Sequence, residues 1–186
     1  MGQDSHNVIM AGIGGRGVMV AALTLARAAL KRYKYAVWLP SMTTAMRGGP
    51  CEATVVFSTS PIASPLVWQP QAVVAMEASQ LAQFVSRVAP GGTIVTEKEG
   101  LKDGVGRQDV RVLELPALSR AVELTGDSQV SNLILLGAYI QSTAVLPVEL
   151  IEQELKERFS GRGEVLSRNL AAFQDGLRLA KEMTGA

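Results

Sequence analysis

The chain has 186 residues, 47% of them hydrophobic and 19% charged, the composition of one globular domain rather than of a disordered chain. Eighteen Lys and Arg against seventeen Asp and Glu leave a formal charge of +1, a balance that offers no footprint for nucleic acid or an anionic membrane. One Cys and one His exclude an internal disulfide and a Cys/His zinc site, and one thiol cannot hold an iron–sulfur cluster, which takes four.

From the amino terminus, Met1–Asn7 is polar and carries Asp4 where a secretion signal would be basic. His6 in this lead-in is poorly placed to be the buried base of a catalytic triad. Val8–Ala11 is a short apolar run that reads as a strand, and Gly12-Ile13-Gly14-Gly15-Arg16-Gly17 follows it. Val18–Leu30 is built from good helix formers, with Lys31 and Arg32 suited to the negative end of the helix dipole. It is too short to span a bilayer, and a cytoplasmic protein is expected.

Tyr35–Leu39, closed by Pro40, reads as a second strand, so the first forty residues predict a βαβ unit with parallel strands. Further strands are predicted at Ala53–Phe57, Ala72–Met76, Thr93–Thr96 and Val110–Leu115, with a helix over Ser79–Val88 stopped by Pro90-Gly91-Gly92. Ile62–Pro70 is proline-rich and reads as a rigid loop or edge piece, and Gly100–Gly106 as a turn or hairpin loop.

Beyond Leu115 the pattern turns helical: Pro116–Thr125, then Val130–Thr143, apolar on most of its circumference, then Pro147–Phe159. A last helix follows Gly161-Arg162-Gly163, with Leu166, Leu170, Phe173, Leu177 and Ala180 along one stripe that must pack on something. The fold class is α/β, Rossmann-like: a mostly parallel open sheet with flanking helices and a helical carboxyl-terminal part, in one domain over residues 1–186.

The glycine segment satisfies G-x-G-x-x-G between a strand and a helix, where a helix start presents unpaired N–H groups to an anion. A dinucleotide site also needs an acidic residue at the end of the second strand. Trp38-Leu39-Pro40-Ser41 has none, so a structural glycine turn or a different anion is the favoured reading. Arg47-Gly48-Gly49 falls just after the second strand, where an arginine fork could clamp phosphate or carboxylate, or pair with a partner's acidic residue. Cys51 reads as a small core residue, and Asn132 and Asn169 as capping or inter-helix hydrogen-bonding groups.

In combination these segments resemble the gamma subunit of 2-oxoacid:ferredoxin oxidoreductases. The resemblance runs through Gly12–Gly17, Val37–Ser41, Met46–Gly49 with Cys51, Pro61–Pro65, Pro90–Gly92, Asn132 with Leu136-Gly137-Ala138, and Asn169 with Ala172 and Gly176. It covers nearly the whole chain. Two features depart from the family: Arg16 stands for a glutamine, and Met42-Thr43-Thr44-Ala45 replaces a Tyr-Gly-Pro-Glu portion.

The resemblance implies oxidative decarboxylation of a 2-oxoacid to an acyl-coenzyme A, with electrons passing to ferredoxin. The Trp-Leu-Pro-Ser wording points to 2-oxoglutarate. It implies alpha and beta partner subunits, and a ferredoxin-like delta subunit in some complexes, that hold thiamine diphosphate, Mg and iron–sulfur clusters. This chain is then structural or lines the coenzyme A site, with candidate binding residues Gly12, Gly14, Gly15, Arg16, Gly17, Ser41, Arg47, Gly48 and Gly49 and no catalytic or metal-ligating residue of its own. Two alternatives stay open: a stand-alone nucleotide-binding reductase, and a noncatalytic partner of another complex.

Overall fold

A computed structural model describes residues 5–42 and 48–185 of the chain. Six strands form one sheet in the order β2-β3-β1-β4-β5-β6: β1 (Ser5–Ile13), β2 (Tyr35–Met42), β3 (Pro50–Ser58), β4 (Ala72–Ala75), β5 (Thr93–Glu97) and β6 (Arg111–Leu115). Five run in one direction, and β3 is antiparallel to both of its neighbours. The mostly parallel α/β architecture read from the sequence is therefore the one present.

The opening βαβ unit is present, with a third strand inserted in it. β1 and β2 do run the same way around α1 (Val18–Leu30), but they are not neighbours. β3 lies between them, paired along its length with β1 from Ser5↔Ser58 to Ile13↔Pro50 and with β2 from Tyr35↔Ser58 to Met42↔Cys51. The reason lies in the strands themselves. β3 brings Ala53, Val55, Val56 and Phe57, all buried, and can be covered on both sides. β2 contains Pro40, which has no N–H for a second ladder, and proline is tolerated at an edge.

Alternation along β1 and β4 then divides the core. Val8, Met10 and Val74 face one side with α1 and the carboxyl-terminal helices. Ile9, Ala11, Val73 and Ala75 face the other with Leu81, Phe84 and Val88. Central strands buried on both faces read as unbroken apolar runs, as these do.

On that second face the helix predicted over Ser79–Val88 resolves into a 3-10 turn at Ala78–Gln80 and a single turn, α2 (Ala82–Val85). Ile62–Pro70 forms neither strand nor helix. Arg87 holds that loop by donating to the carbonyls of Val67 (3.0 Å) and Trp68 (2.9 Å). The Gly100–Gly106 segment joins β5 to the parallel β6, so it is a crossover loop and not a hairpin.

The first face carries the rest: α3 (Ala117–Thr125), α4 (Ser131–Thr143), α5 (Val148–Arg158) and α6 (Gly163–Thr184). α4 is buried almost all round, as its apolar sequence predicts. The stripe of α6 finds its partner there. A Cβ on Gly176 would come within 2.0 Å of the Ile134 carbonyl oxygen, and one on Gly137 within 2.2 Å of that of Phe173. The two helices cross backbone to backbone.

Asp175, beside this crossing, accepts from Arg120 of α3 and Arg178 of α6. Burial acts to raise its carboxyl, but the two guanidinium partners outweigh it and hold the group below the usual range. Among the described residues no helix is long and apolar enough to cross a membrane.

Candidate functional site

All five co-directional strands end at one edge of the sheet, and β3 begins there. β1 is where the chain's path divides, with β2 and β3 placed on one side and β4 on the other. Open α/β sheets bind ligands outside the carboxyl ends at such a point. The glycine turn occupies it.

Local bonds explain the turn's shape. Gly14 N donates to Gly49 O at 2.9 Å, tying the turn to the start of β3, and Arg16 N donates to Ile13 O at 3.1 Å. Gly17, at φ +73°, caps α1 and gives its carbonyl to Ala21 N, the first helical bond. The N–H groups of Val18, Met19 and Val20 precede that bond and have no helical acceptor. Gly12 serves packing: a Cβ there would meet Val18 Cγ2 at 2.8 Å.

A cleft of about 910 Å³ opens beside the turn. The turn and start of α1 form one wall, Gly49–Cys51 the floor, and Asp127–Asn132 with Phe159 and Val165–Asn169 the far wall. Its surface is mostly apolar, with a few polar groups among Ile13, Val18, Met19, Val130, Phe159 and Val165, which is the make-up of a small-molecule site.

The polar groups are largely engaged at one end. Asp127 Oδ1 accepts from Gln129 N at 2.8 Å, and Arg168 pairs with Glu164. Asn132 Nδ2 donates to Gly17 O at 3.0 Å, and Asn169 Nδ2 to Val165 O at 2.6 Å. Burial pushes the Cys51 thiol up, away from the thiolate that a nucleophile needs.

Of the candidates named from the sequence, the structure brings Gly14, Gly15, Gly17 and Gly49 to the cleft, with Gly12 packed beneath them. Arg16 is placed elsewhere: its Nε lies 3.2 Å from Glu77 Oε2, and the residue does not line the cleft. Ser41 is exposed near the end of β2, and Gly48 is exposed at φ +76°. Arg47 falls outside the described residues. His6 lies at the opposite edge of the sheet, stacked on Phe57 with ring centroids 5.3 Å apart, and burial lowers its pKa, with a smaller contribution from Arg32.

Sequence reasoning missed Asp127, Gln129, Phe159, Val165 and Arg168 as cleft residues. They lie more than a hundred positions from the glycine turn and match no motif. Asn132 and Asn169 were read only as capping or inter-helix groups. Among the described residues no three His, Cys, Asp or Glu side chains gather as a metal set. The one thiol cannot supply a cluster's ligands.

Comparison with known proteins agrees with this architecture. The pyruvate ferredoxin/flavodoxin oxidoreductase family matches residues 7–179. The 2-oxoglutarate synthase subunit KorC of Methanothermobacter marburgensis is 32% identical over 179 residues, covering 93% of this chain and 95% of that protein. The pyruvate/ketoisovalerate oxidoreductases common subunit gamma of Thermococcus litoralis is 28% identical over 171 residues, 88% of this chain and 91% of the relative. Among solved structures, a 2-oxoglutarate:ferredoxin oxidoreductase from Magnetococcus marinus, with 2-oxoglutarate, coenzyme A and succinyl-CoA bound, superposes with a TM-score of 0.87 at 22% identity. That match takes in 99% of this chain and 32% of the longer one.

Proposed function

The chain belongs to the pyruvate ferredoxin/flavodoxin oxidoreductase family as a gamma-type subunit of a 2-oxoacid:ferredoxin oxidoreductase, and we propose that its complex acts on 2-oxoglutarate while this chain walls the approach of coenzyme A. The end-to-end match to a 2-oxoglutarate synthase subunit carries the substrate reading. The name of the Thermococcus relative describes one gamma chain common to two oxidoreductases, which fits a subunit that does not itself select the 2-oxoacid. Thiamine diphosphate, Mg and iron–sulfur clusters are held by alpha, beta and any delta partners, ferredoxin accepts the electrons, and the isolated chain is inactive.

The chain's own contribution is recognition. The start of α1 offers unpaired N–H groups and the positive end of a helix dipole at the cleft mouth, favourable to an anionic group. The apolar wall from Val18 to Val165 excludes water from whatever lies along it. Arg47 directly precedes Gly48 and Gly49 in the sequence and is the arginine assigned to the anionic part of coenzyme A. Arg16, held by Glu77, shapes the turn.

Affinity purification of the tagged chain from its own cells tests the assembly. Larger co-purifying chains, thiamine diphosphate and a brown, iron-containing spectrum are the expected result. A colourless protein without partners would overturn it. Arg47→Ala in that complex should raise the apparent KM for coenzyme A about tenfold, the loss of one charge-assisted contact; an unchanged KM would remove Arg47 from the site.

A further inference from the structure

The two buried asparagines of the cleft are more than packing groups. Asn132 is 3% exposed and Asn169 is 7% exposed, and both line the cleft. Each spends its amide N–H on a backbone carbonyl, Asn132 on Gly17 O and Asn169 on Val165 O. Only the NH2 end of the amide can donate, so these bonds fix which way each side chain is turned. Neither Oδ1 has a hydrogen-bond partner among the described residues.

Yet neither oxygen is sealed away: the buried, unpartnered side-chain atoms among the described residues are Thr24 Oγ1, Trp38 Nε1 and Glu154 Oε1. Both amide oxygens therefore keep some exposed surface, and the cleft is the space that their side chains line. The neighbouring charges favour the same kind of ligand. Asp127 brings a carboxylate to this wall, and the Arg168 cation is already paired with Glu164. A wall of acceptors repels phosphate and attracts N–H.

We propose that Asn132 and Asn169 are specificity-determining residues that accept hydrogen bonds from the N–H groups of an extended, amide-bearing ligand arm, such as the pantetheine portion of coenzyme A. This rests on the coenzyme A reading given above and adds an orientation to it. The amide arm runs along the α4–α6 wall, and the phosphates lie toward the α1 start. Two acceptors spaced along one mostly apolar wall suit a chain of secondary amides better than a compact anion.

Asn169 is the cleaner position to test, because Val165 O already accepts the ordinary helical bond and loses little when the side chain goes. The assembled complex, with this chain wild type, Asn169→Leu or Asn169→Gln, is titrated calorimetrically with coenzyme A, pantetheine and adenosine 3′,5′-bisphosphate. Asn169→Leu is expected to weaken coenzyme A and pantetheine about fivefold, the worth of one neutral hydrogen bond, and to leave the bisphosphate unchanged. Asn169→Gln, which keeps the acceptor, should recover most of the loss.

Equal affinities for coenzyme A in wild type and Asn169→Leu would overturn this proposal while leaving the coenzyme A site standing. A loss confined to the bisphosphate would also overturn it, placing the nucleotide on this wall instead. A wild-type complex that binds none of the three would overturn both readings together.

Discussion

Two sets of glycines hold this molecule together, for opposite reasons. Gly17 is needed for its backbone conformation and its exposure to a site. It sits at φ +73°, at the mouth of the cleft, with Asn132 Nδ2 only 2.5 Å from where a Cβ would project. Gly137 and Gly176 are needed for space alone: both lie within ordinary helix, where any residue's backbone would fit, and a side chain on either would overlap a carbonyl of the facing helix. The first set shapes a surface that can adapt, because its neighbour is a side chain. The second is backbone against backbone, and nothing there can yield short of parting the helices.

The sharpest way to break the comparison is at the crossing. Gly176→Ala should cost at least about 3 kcal/mol, the upper part of the overpacking range, because α4 and α6 must separate along their length. Chemical denaturation of the purified chain measures this, and a loss under 1 kcal/mol would mean the crossing is looser than described. Gly17→Ala should cost less, about 2 kcal/mol. Left-handed strain contributes 1–2 of that, and displacement of Asn132 the remainder.

Asn132→Ala should cost least, about 1 kcal/mol for one hydrogen bond to Gly17 O. It also sharpens the contrast. In the double variant the alanine at 17 loses the two contacts under 3.0 Å with the Asn132 amide and keeps only the 3.2 Å contact with Cβ at 132, so the two losses should fall short of additive by several tenths of a kcal/mol or more. Strict additivity would show that strain alone, and not crowding by Asn132, explains the need for glycine at 17. No such relief is available to Gly176, whose neighbours are main-chain atoms.

Much of the fold was legible because it is written in local chemistry. Strand positions followed from short apolar runs, α1 from its helix formers, and the burial of α4 from an apolar circumference. The stripe on α6 announced a partner, though not which helix it was. Strand order was harder: nothing near Tyr35–Met42 says that β3 will lie between it and β1. That placement came from a competition in which Pro40 made β2 the poorer central strand. The short helix after β4 was overcalled for a related reason. Helical spacing over Ser79–Val88 supports only a 3-10 turn and one α turn once Leu81, Phe84 and Val88 have been drawn onto the sheet.

The site divided in the same way. Gly14, Gly15 and Gly17, which line the cleft, were legible in the sequence as a turn because a tight turn between strand and helix has a local signature. Ser41 and Gly48 are exposed and do not line the cleft, and Arg16 went to Glu77, because the direction in which a long side chain leaves a turn depends on what stands opposite. The far wall from Asp127 to Asn169 carries no motif at all. Its residues meet the glycine turn only because α4 and α6 cross closely enough to bring their first turns to the edge of the sheet.

The sequence by itself thus determined the class of fold, the glycine turn that starts α1, the lack of a second thiol, and a family likeness spread over nearly its whole length. Tertiary structure decided which strands are neighbours, where each arginine points, and that two asparagines thirty-seven positions apart face one cleft. The physical reason is range. Turn geometry, helix propensity and apolar periodicity are settled within a few residues, whereas a binding wall is set by which buried surfaces find one another.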